Sequence, residues 1–568
     1  MGINALRSGA LESLVSDLKS EAGCEIVREM KPRRAARSQA LDGEATSVYV
    51  ARMALETFLE LRARAAATRP EACIELDGEL DYNWGWAANP ASLQAALVER
   101  LRVDRMRRAL SAPRGSRSQQ IRLRVLGENQ APVANAHVRL EAVAAPQEGL
   151  TDGNGELTLT LHVSAGSGAR SLFVDPPGDY WTRYLRYPGL NPEIDNVIVL
   201  RSLDKNLRDS GNGARYGWGQ RWMGIDQLPA QMTGRGAKIA IIDSGADNQH
   251  PLLKHITNGV DLTGNGNRST WAEDLVGHGS HCSGIIAAQG SEGVALRGFA
   301  PQAELHLLKV FPGGRYSTLL DALEYCIEHQ IDVVNLSLGG SDASEAIEQK
   351  LEEAVENGVA FIAAAGDSAG PVQYPASSAH VLSVAALGLL GEFPPNSWES
   401  QTIPPLPELL ARDGVFMPSF SSFGPKVDVS APGVGIISSI PGGGLGAHSG
   451  TSVAAAHVSG LAALLVAHHP WFRNLLQLRN SQRVAGLYQL LREACPPSCS
   501  AAYQQDLGVQ RVGAGMPLIQ RLVASVQSAS YGGGAANLSS LPLQPSGASL
   551  LPPFGAAQPV SQFFYRPL

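Results

Sequence analysis

Residues 237–245 read Ala-Lys-Ile-Ala-Ile-Ile-Asp-Ser-Gly, an apolar run that ends in the carboxylate of Asp243. An unbroken apolar run this short predicts a strand buried on both faces, not one with a wet side. Further runs of the same kind occupy 305–310, 333–338, 359–365 and 381–386. Stretches with helical spacing, such as 319–329 and 345–357, separate them. Strands alternating with amphipathic helices predict an α/β domain over 206–526, a parallel sheet with helices on both faces. In open sheets of this kind, functional groups gather at the carboxyl ends of strands, where Asp243 stands.

Upstream the pattern changes twice. Residues 1–118 read as a helical N-terminal region, with apolar residues at three- and four-residue spacing over 47–66 and 91–110. Residues 119–201 alternate instead: Ile121, Leu123 and Val125, then Val138 and Leu140, then Leu157, Leu159, Leu161 and Val163. With the turn sequence Asp152-Gly153-Asn154-Gly155 between them, they predict a small antiparallel β-sandwich. The runs 131–138 and 151–155 resemble immunoglobulin-like or transthyretin-like modules, which implies a spacer or packing role, with substrate or surface binding as the alternative. Residues 527–568 are rich in Gly, Pro, Ser and Ala and read as a flexible tail.

Bulk properties exclude several classes. The 568 residues are 44% hydrophobic and 17% charged, too apolar for a disordered chain. A formal net charge of -7 argues against nucleic acid as a partner, and Lys31, Arg33, Arg34 and Arg37 read as solvated surface. No apolar run reaches the roughly 20 residues of a membrane span. The run 453–467 is interrupted by His457 and Ser459 and reads as a buried helix. Residues 1–18 lack an apolar export core, so the expected location is cytoplasmic, with export by an unconventional route as the alternative. Six cysteines in so long a chain are not a disulfide framework. Only Cys495 and Cys499 are close enough for a local disulfide, and no second Cys/His pair beside them suggests a metal site.

A serine hydroxyl needs a base within hydrogen-bond reach, and that base needs an orienting carboxylate. Asp243 ends an apolar strand. His278 sits in Gly277-His278-Gly279-Ser280-His281-Cys282, where small residues allow a helix to start against neighbouring backbone. Ser452 follows Gly450 and Thr451 at the head of an apolar helix, where backbone N–H groups and the positive helix end converge. Each alone is ordinary: a strand-end acid, a packed histidine, an N-cap serine.

Together, and in the order Asp, His, Ser, the three resemble the subtilase family of serine peptidases. Flanking blocks carry the resemblance further, notably Gly298-Phe299-Ala300-Pro301, 332–340, Phe420-Ser421-Ser422-Phe423-Gly424 and Ser430-Ala431-Pro432-Gly433. It implies a serine endopeptidase acting on protein or peptide substrates, with Ser452 as nucleophile, His278 as base and Asp243 orienting it. It further implies that the backbone N–H of Ser452 joins the oxyanion hole, and that Ser337, Leu338, Gly339, Gly340, Ala364 and Gly366 bind substrate. No cofactor is required for the chemistry. Structural calcium is implied as an option, with Asp247, Asp261 and Asp274 as scattered candidates. An inhibitory prosegment within residues 1 to about 115 is implied too, with autocleavage between there and Arg208.

The chain departs from the family at Asp367, where the side-chain oxyanion donor is usually Asn. An ionised carboxylate cannot donate, but a protonated one can. The rival reading is therefore a catalytically impaired, peptide-binding relative. Ala456 stands where proline is usual, which should alter the helix little. Residues 387–419 form a long Pro-rich insertion, read as a surface feature or a gating loop. Cys282 lies one helical turn after His278, as in thiol-containing members, and is expected to be buried.

Overall fold

The computed structural model describes residues 3–6, 25–30, 47–53, 55–68, 75, 77–82, 117–142, 146–163, 168–209, 213–264, 267–290, 296–340, 342–411, 413–496 and 504–531. The chain divides into two units, 1–531 and 532–568, and the second lies outside the described residues.

The N-terminal region is not mainly helical where it is described. Strands β1 (Ile3–Leu6), β2 (Glu25–Met30) and β3 (Ser47–Arg52) form an antiparallel sheet in the order β1-β3-β2. Helix α1 (Leu55–Thr68) and a short strand β4 (Asp81–Tyr82) follow. A helix was expected from residue 47, but Val48, Tyr49 and Val50 are β-branched or aromatic and favour a strand over that span. The second expected helix, 91–110, lies outside the described residues.

Next come β5 (Arg117–Gly127), β6 (His137–Glu141), β7 (Gln147–Leu150), β8 (Glu156–Val163), β9 (Ser171–Asp175), β10 (Arg183–Arg186) and β11 (Asn196–Leu200). They form two sheets, ordered β11-β5-β8 and β10-β9-β6-β7. Ile121, Leu123, Val125, Val138, Leu140, Leu159 and Leu161 alternate inward to one shared core. The pairing is not wholly antiparallel, because β11 runs parallel to β5. β11 arrives from the other sheet through residues 187–195, so no tight hairpin dictates its direction.

The remaining chain builds the main sheet. In order come β12 (Lys238–Asp243), β13 (Asn258–Asp261), α2 (His278–Ala287), β14 (Glu304–Lys309) and α3 (Tyr316–Glu328). Then follow β15 (Val333–Leu336), β16 (Leu338–Gly339), α4 (Glu345–Glu356), β17 (Ala360–Ala364), β18 (Val381–Leu389), β19 (Val415–Phe416) and β20 (Val429–Pro432). The hairpin β21 (Ile436–Ser439) and β22 (Leu445–His448) precedes α5 (Thr451–His468), α6 (Pro470–Asn474) and α7 (Ser481–Glu493).

Strands β13-β14-β12-β15-β17-β18 pair in parallel in that order, β20 adds in parallel to β18, and β19 adds antiparallel. Successive residues of β12 serve opposite faces, as a strand's two-residue period demands. Ile239 and Ile241 pack in the core with α2 and α5, while Ala240 and Ile242 pack in the core with α3 and α4. Helix α5 is long and apolar enough to cross a membrane, but 94% of it is buried inside the protein. It is the central core helix, as its interrupted apolar run predicted.

The 387–419 insertion packs against the β10-β9-β6-β7 sheet. Trp398 stands edge-on to Phe173 and Tyr184, with ring centroids 5.7 and 5.6 Å away. Tyr184 N donates to Asn396 O at 2.7 Å, and buried Trp181 joins the main core. Asp179 pairs with Leu445 at the tip of β22, donating N to O and accepting N at Oδ1. Cys495 is a buried thiol, and Cys499, its expected disulfide partner, lies outside the described residues. The expected tail does not begin at 527, since a helix runs from Ile519 to Tyr531.

Candidate active site

Asp243 is the last residue of β12 and His278 the first of α2. The helix starts there because Gly277 takes φ 87° and Asp274 caps the turn. Asp274 accepts from Val276 N and Gly277 N at Oδ1, and from Ser280 N and Oγ at Oδ2. The helix end then comes so close to the strand end that a Cβ on Gly279 would meet Gly245 O at 1.9 Å. Only glycine fits at 279, which places His278 directly beside Asp243. His278 Nδ1 lies 2.9 and 2.8 Å from the two carboxylate oxygens of Asp243. Ser244 donates its N–H and hydroxyl to Asp243 Oδ1, and its hydroxyl accepts from Gly279 N. Both members of the pair are buried.

Ser452 is the second residue of α5, behind Gly450. It is buried, and its Oγ makes no hydrogen bond, so the hydroxyl is not spent on capping the helix. Its backbone carbonyl accepts from Ser337 Oγ at 2.9 Å. Ser337 Oγ in turn accepts from Asn335 Nδ2 at 2.8 Å, and Ser459 Oγ donates to Asn335 Oδ1 at 2.9 Å. A buried polar chain therefore ties the serine turn to β15. Sequence reading missed Asn335 and Ser459; the available signal was one amide inside the apolar run 333–338. Cys282 is buried, with Sγ 3.7 Å from Ser337 Oγ and within 4.8 Å of ligand atoms on both Asp243 and His278. Burial pushes its thiol pKa well up.

Thr451 organises the surroundings of Asp367. Its N–H and its hydroxyl both donate to Asp367 Oδ1, at 2.9 and 2.8 Å, and its Oγ1 accepts from Gly366 N at 3.1 Å. Asp367 Oδ2 is buried with no partner. Burial raises the Asp367 pKa to about 7, against the opposing pull of the two Thr451 bonds.

The expected substrate residues cluster near these groups. Ala364 ends β17, Gly366 takes φ 113° beside Thr451, and Gly340 N bonds Tyr374 O. The edge of β16 is already engaged: Leu338 pairs with Tyr82 and Gly339 with Asp81 in antiparallel register. The segment leading there is pinned to two helix starts. Asp77 accepts from Ser317 N and Oγ at 2.8 and 2.7 Å near the start of α3. Glu75 accepts from Ser344 Oγ and Glu345 N at the start of α4. Leu80 is buried in the α3–α4 core.

The acids expected as calcium candidates accept hydrogen bonds from their own surroundings. Asp247 accepts from Gln249 N and Gly442 N, Asp261 from Thr263 and Thr270, and Asp274 caps α2. Among the described residues the one three-ligand cluster is Asp243, His278 and Cys282. His281 is a packing residue, with Nε2 2.9 Å from Ile436 O and its ring stacked on His448.

A buried Asp–His pair on a doubly covered parallel sheet shares its core with a helix-borne serine, the residue types that serine hydrolases use. Residues 234–495 match the subtilase family. The chain is 35% identical over 265 residues to a subtilisin of Bacillus pumilus, covering 44% of this chain and 86% of that protein. It is 32% identical over 244 residues to the major intracellular serine protease of Bacillus subtilis, covering 41% and 69%. Against subtilisin NAT of Bacillus subtilis subsp. natto it is 35% identical over 44% of this chain, and spans 62% of that relative's length. The chain belongs to the subtilase family.

Proposed function

We propose that this protein is a serine endopeptidase. Ser452 attacks the peptide carbonyl while His278 takes its proton, and the acyl-enzyme forms as His278 returns that proton to the leaving amine. Water, activated by His278, then releases the acyl group. Asp243 holds the imidazole and stabilises its charged form. The observation that carries the reading is the contact of His278 Nδ1 with Asp243, made in the same buried core as a serine hydroxyl without a competing bond. Unbound sites often hold the base–nucleophile contact loosely until substrate arrives.

The oxyanion hole would use Ser452 N and a protonated Asp367. Asp367 Oδ2 is the oxygen left without a partner, and a proton there makes it a donor as Asn would be. The rival reading, peptide binding without cleavage, requires Asp367 to stay ionised.

Substrates on this reading are extended peptides that add to the edge of β16. Asp81 and Tyr82 hold that edge, Glu75 and Asp77 are bonded at two helix starts, and together they support an inhibitory role for the N-terminal region. A segment held on that edge favours cleavage shortly after Tyr82, nearer the N-terminus than the expected interval between about 115 and Arg208. Residues 119–201 act as a packing module.

Labelling by a fluorophosphonate probe from about pH 5 to about pH 9, with Ser452→Ala as control, tests the reading. Labelling that needs Ser452 upholds it. A folded protein that never labels, even after limited proteolysis releases its N-terminal region, establishes the binding-protein alternative.

A further inference from the structure

Far from the triad, at the amino ends of β12 and β15, lies an open cavity of about 420 Å³. Asp243 marks the opposite end of β12, about 16 Å away along the strand. Arg235, Lys238, Arg473, Arg479 and Arg483 line the cavity, and Asp332 is the one acid among its described lining residues. These cations come from separate segments: the entry to β12, helix α6, the α6–α7 turn and helix α7.

Asp332 does not balance them. Its Oδ1 already accepts from Arg479 and Arg483, both at 2.9 Å, and its Oδ2 from Lys238 N at 2.9 Å. The other cations are positioned by neutral groups. Lys238 Nζ reaches His329 O, Arg473 reaches Ala467 O, and Arg235 Nε reaches Gln302 Oε1. Carbonyl dipoles hold a guanidinium in place but do not cancel its charge. Arg479 Nε is buried with no hydrogen-bond partner, a donor the fold leaves unsatisfied. Arg483 also lies 5.0 Å over the Phe472 ring, which holds its planar fork rigid.

Cations gathered this closely repel one another, and the fold sets one acid among them although the chain carries a net charge of -7. The helix C-terminus at Ala467 accounts for Arg473, but not for the other four cations. We propose that this cavity is a binding site for an oligophosphate-class oxyanion. Planar guanidinium forks from several directions suit multidentate phosphate oxygens, and the cavity has room for two or more phosphoryl groups. The site is independent of the triad reading.

A free oligophosphate and a nucleotide share this chemistry. The test titrates full-length Ser452→Ala, which cannot digest itself, with inorganic pyrophosphate and separately with ATP by calorimetry at constant ionic strength. Saturable binding of either is expected, with at least tenfold weakening in Arg235→Gln/Lys238→Gln and in Arg473→Gln. These variants leave the Asp332–Arg479–Arg483 contacts alone, and circular dichroism checks that they fold. Similar affinities would assign the site to the phosphate chain, and tighter ATP binding to a nucleotide. No saturable binding, or binding that folded variants retain at full strength, would overturn the proposal.

Discussion

Thr451 gives both its N–H and its hydroxyl to one oxygen of Asp367 and leaves the other oxygen buried without a partner. The residue next to Ser452 thus orients the carboxyl group, so that a single proton on Oδ2 decides whether a donor exists.

The pH dependence follows from that proton. With its pKa raised to about 7, Asp367 is protonated below that pH and loses its donor as pH rises through it. Turnover should therefore fall on the alkaline side of pH 7, and Asp367→Asn should remove that limb. Loss of one oxyanion donor costs about 10²–10³ in turnover in this family, which sets the size of the drop. A mutant with an unchanged pH–kcat profile would disprove the donor role.

Asp367 also links stability to pH. Its folded pKa lies above the usual value of 3.8, so folding is favoured while the carboxyl is protonated. That contribution is fully present below pH 3.8 and is lost as pH rises through about 7. Asp367→Asn should flatten this part of the stability–pH curve, measured by urea unfolding of the Ser452→Ala background.

Strand β4 on the edge of β16 predicts the processing site. Mass spectrometry of active protein should find a new N-terminus within a few residues after Tyr82. Ser452→Ala should stay full length. Replacing Glu75 and Asp77 together by Ala removes the contacts at two helix starts and should speed release. Active protein that keeps its full mass would reject this role.

Cys282 predicts sensitivity to thiol reagents. Its sulfur lies within 4.8 Å of ligand atoms on Asp243 and His278, so a mercurial there would displace the imidazole. Inhibition should require time, because the thiol is buried and its pKa is raised. It should vanish in Cys282→Ser, and undiminished inhibition would point to another site.

Gly279→Ala should separate Asp243 from His278. The added carbon meets Gly245 O at 1.9 Å, a backbone atom that cannot rotate away. A destabilisation of about 3 kcal/mol is expected from such overpacking, with a larger loss in kcat than in KM. Trp398→Ala is a contrasting test at the insertion. Two edge-on ring contacts with Phe173 and Tyr184 predict a loss of about 1–3 kcal/mol, with kcat little changed.

Much of the centre of this protein was legible in one dimension. The run 237–243 is apolar on both faces, so it had to be an inner strand, and its terminal Asp243 had to stand at the sheet's carboxyl edge. Gly277-His278-Gly279 announced a close helix start, which is what the Gly245 contact requires. Such features depend on short-range rules, the two-residue strand period and the steric needs of a single turn. Residues 47–52 resisted the same treatment because six residues cannot separate helical from strand period by spacing alone.

Tertiary structure alone decided the rest, because the deciding partners are remote in the chain. Ser317 meets Asp77 across 240 positions, and nothing near either residue names the other. Asp332 draws Arg479 and Arg483 across 147 and 151 positions, so the basic cavity is invisible in an acidic sequence. Asp367 could be recognised as an odd residue, but its pKa depends on burial and on Thr451, which folding brings in from 84 positions away. Motifs record which groups are present. Burial and long-range pairing decide their charge, and whether a strand edge is open or already taken.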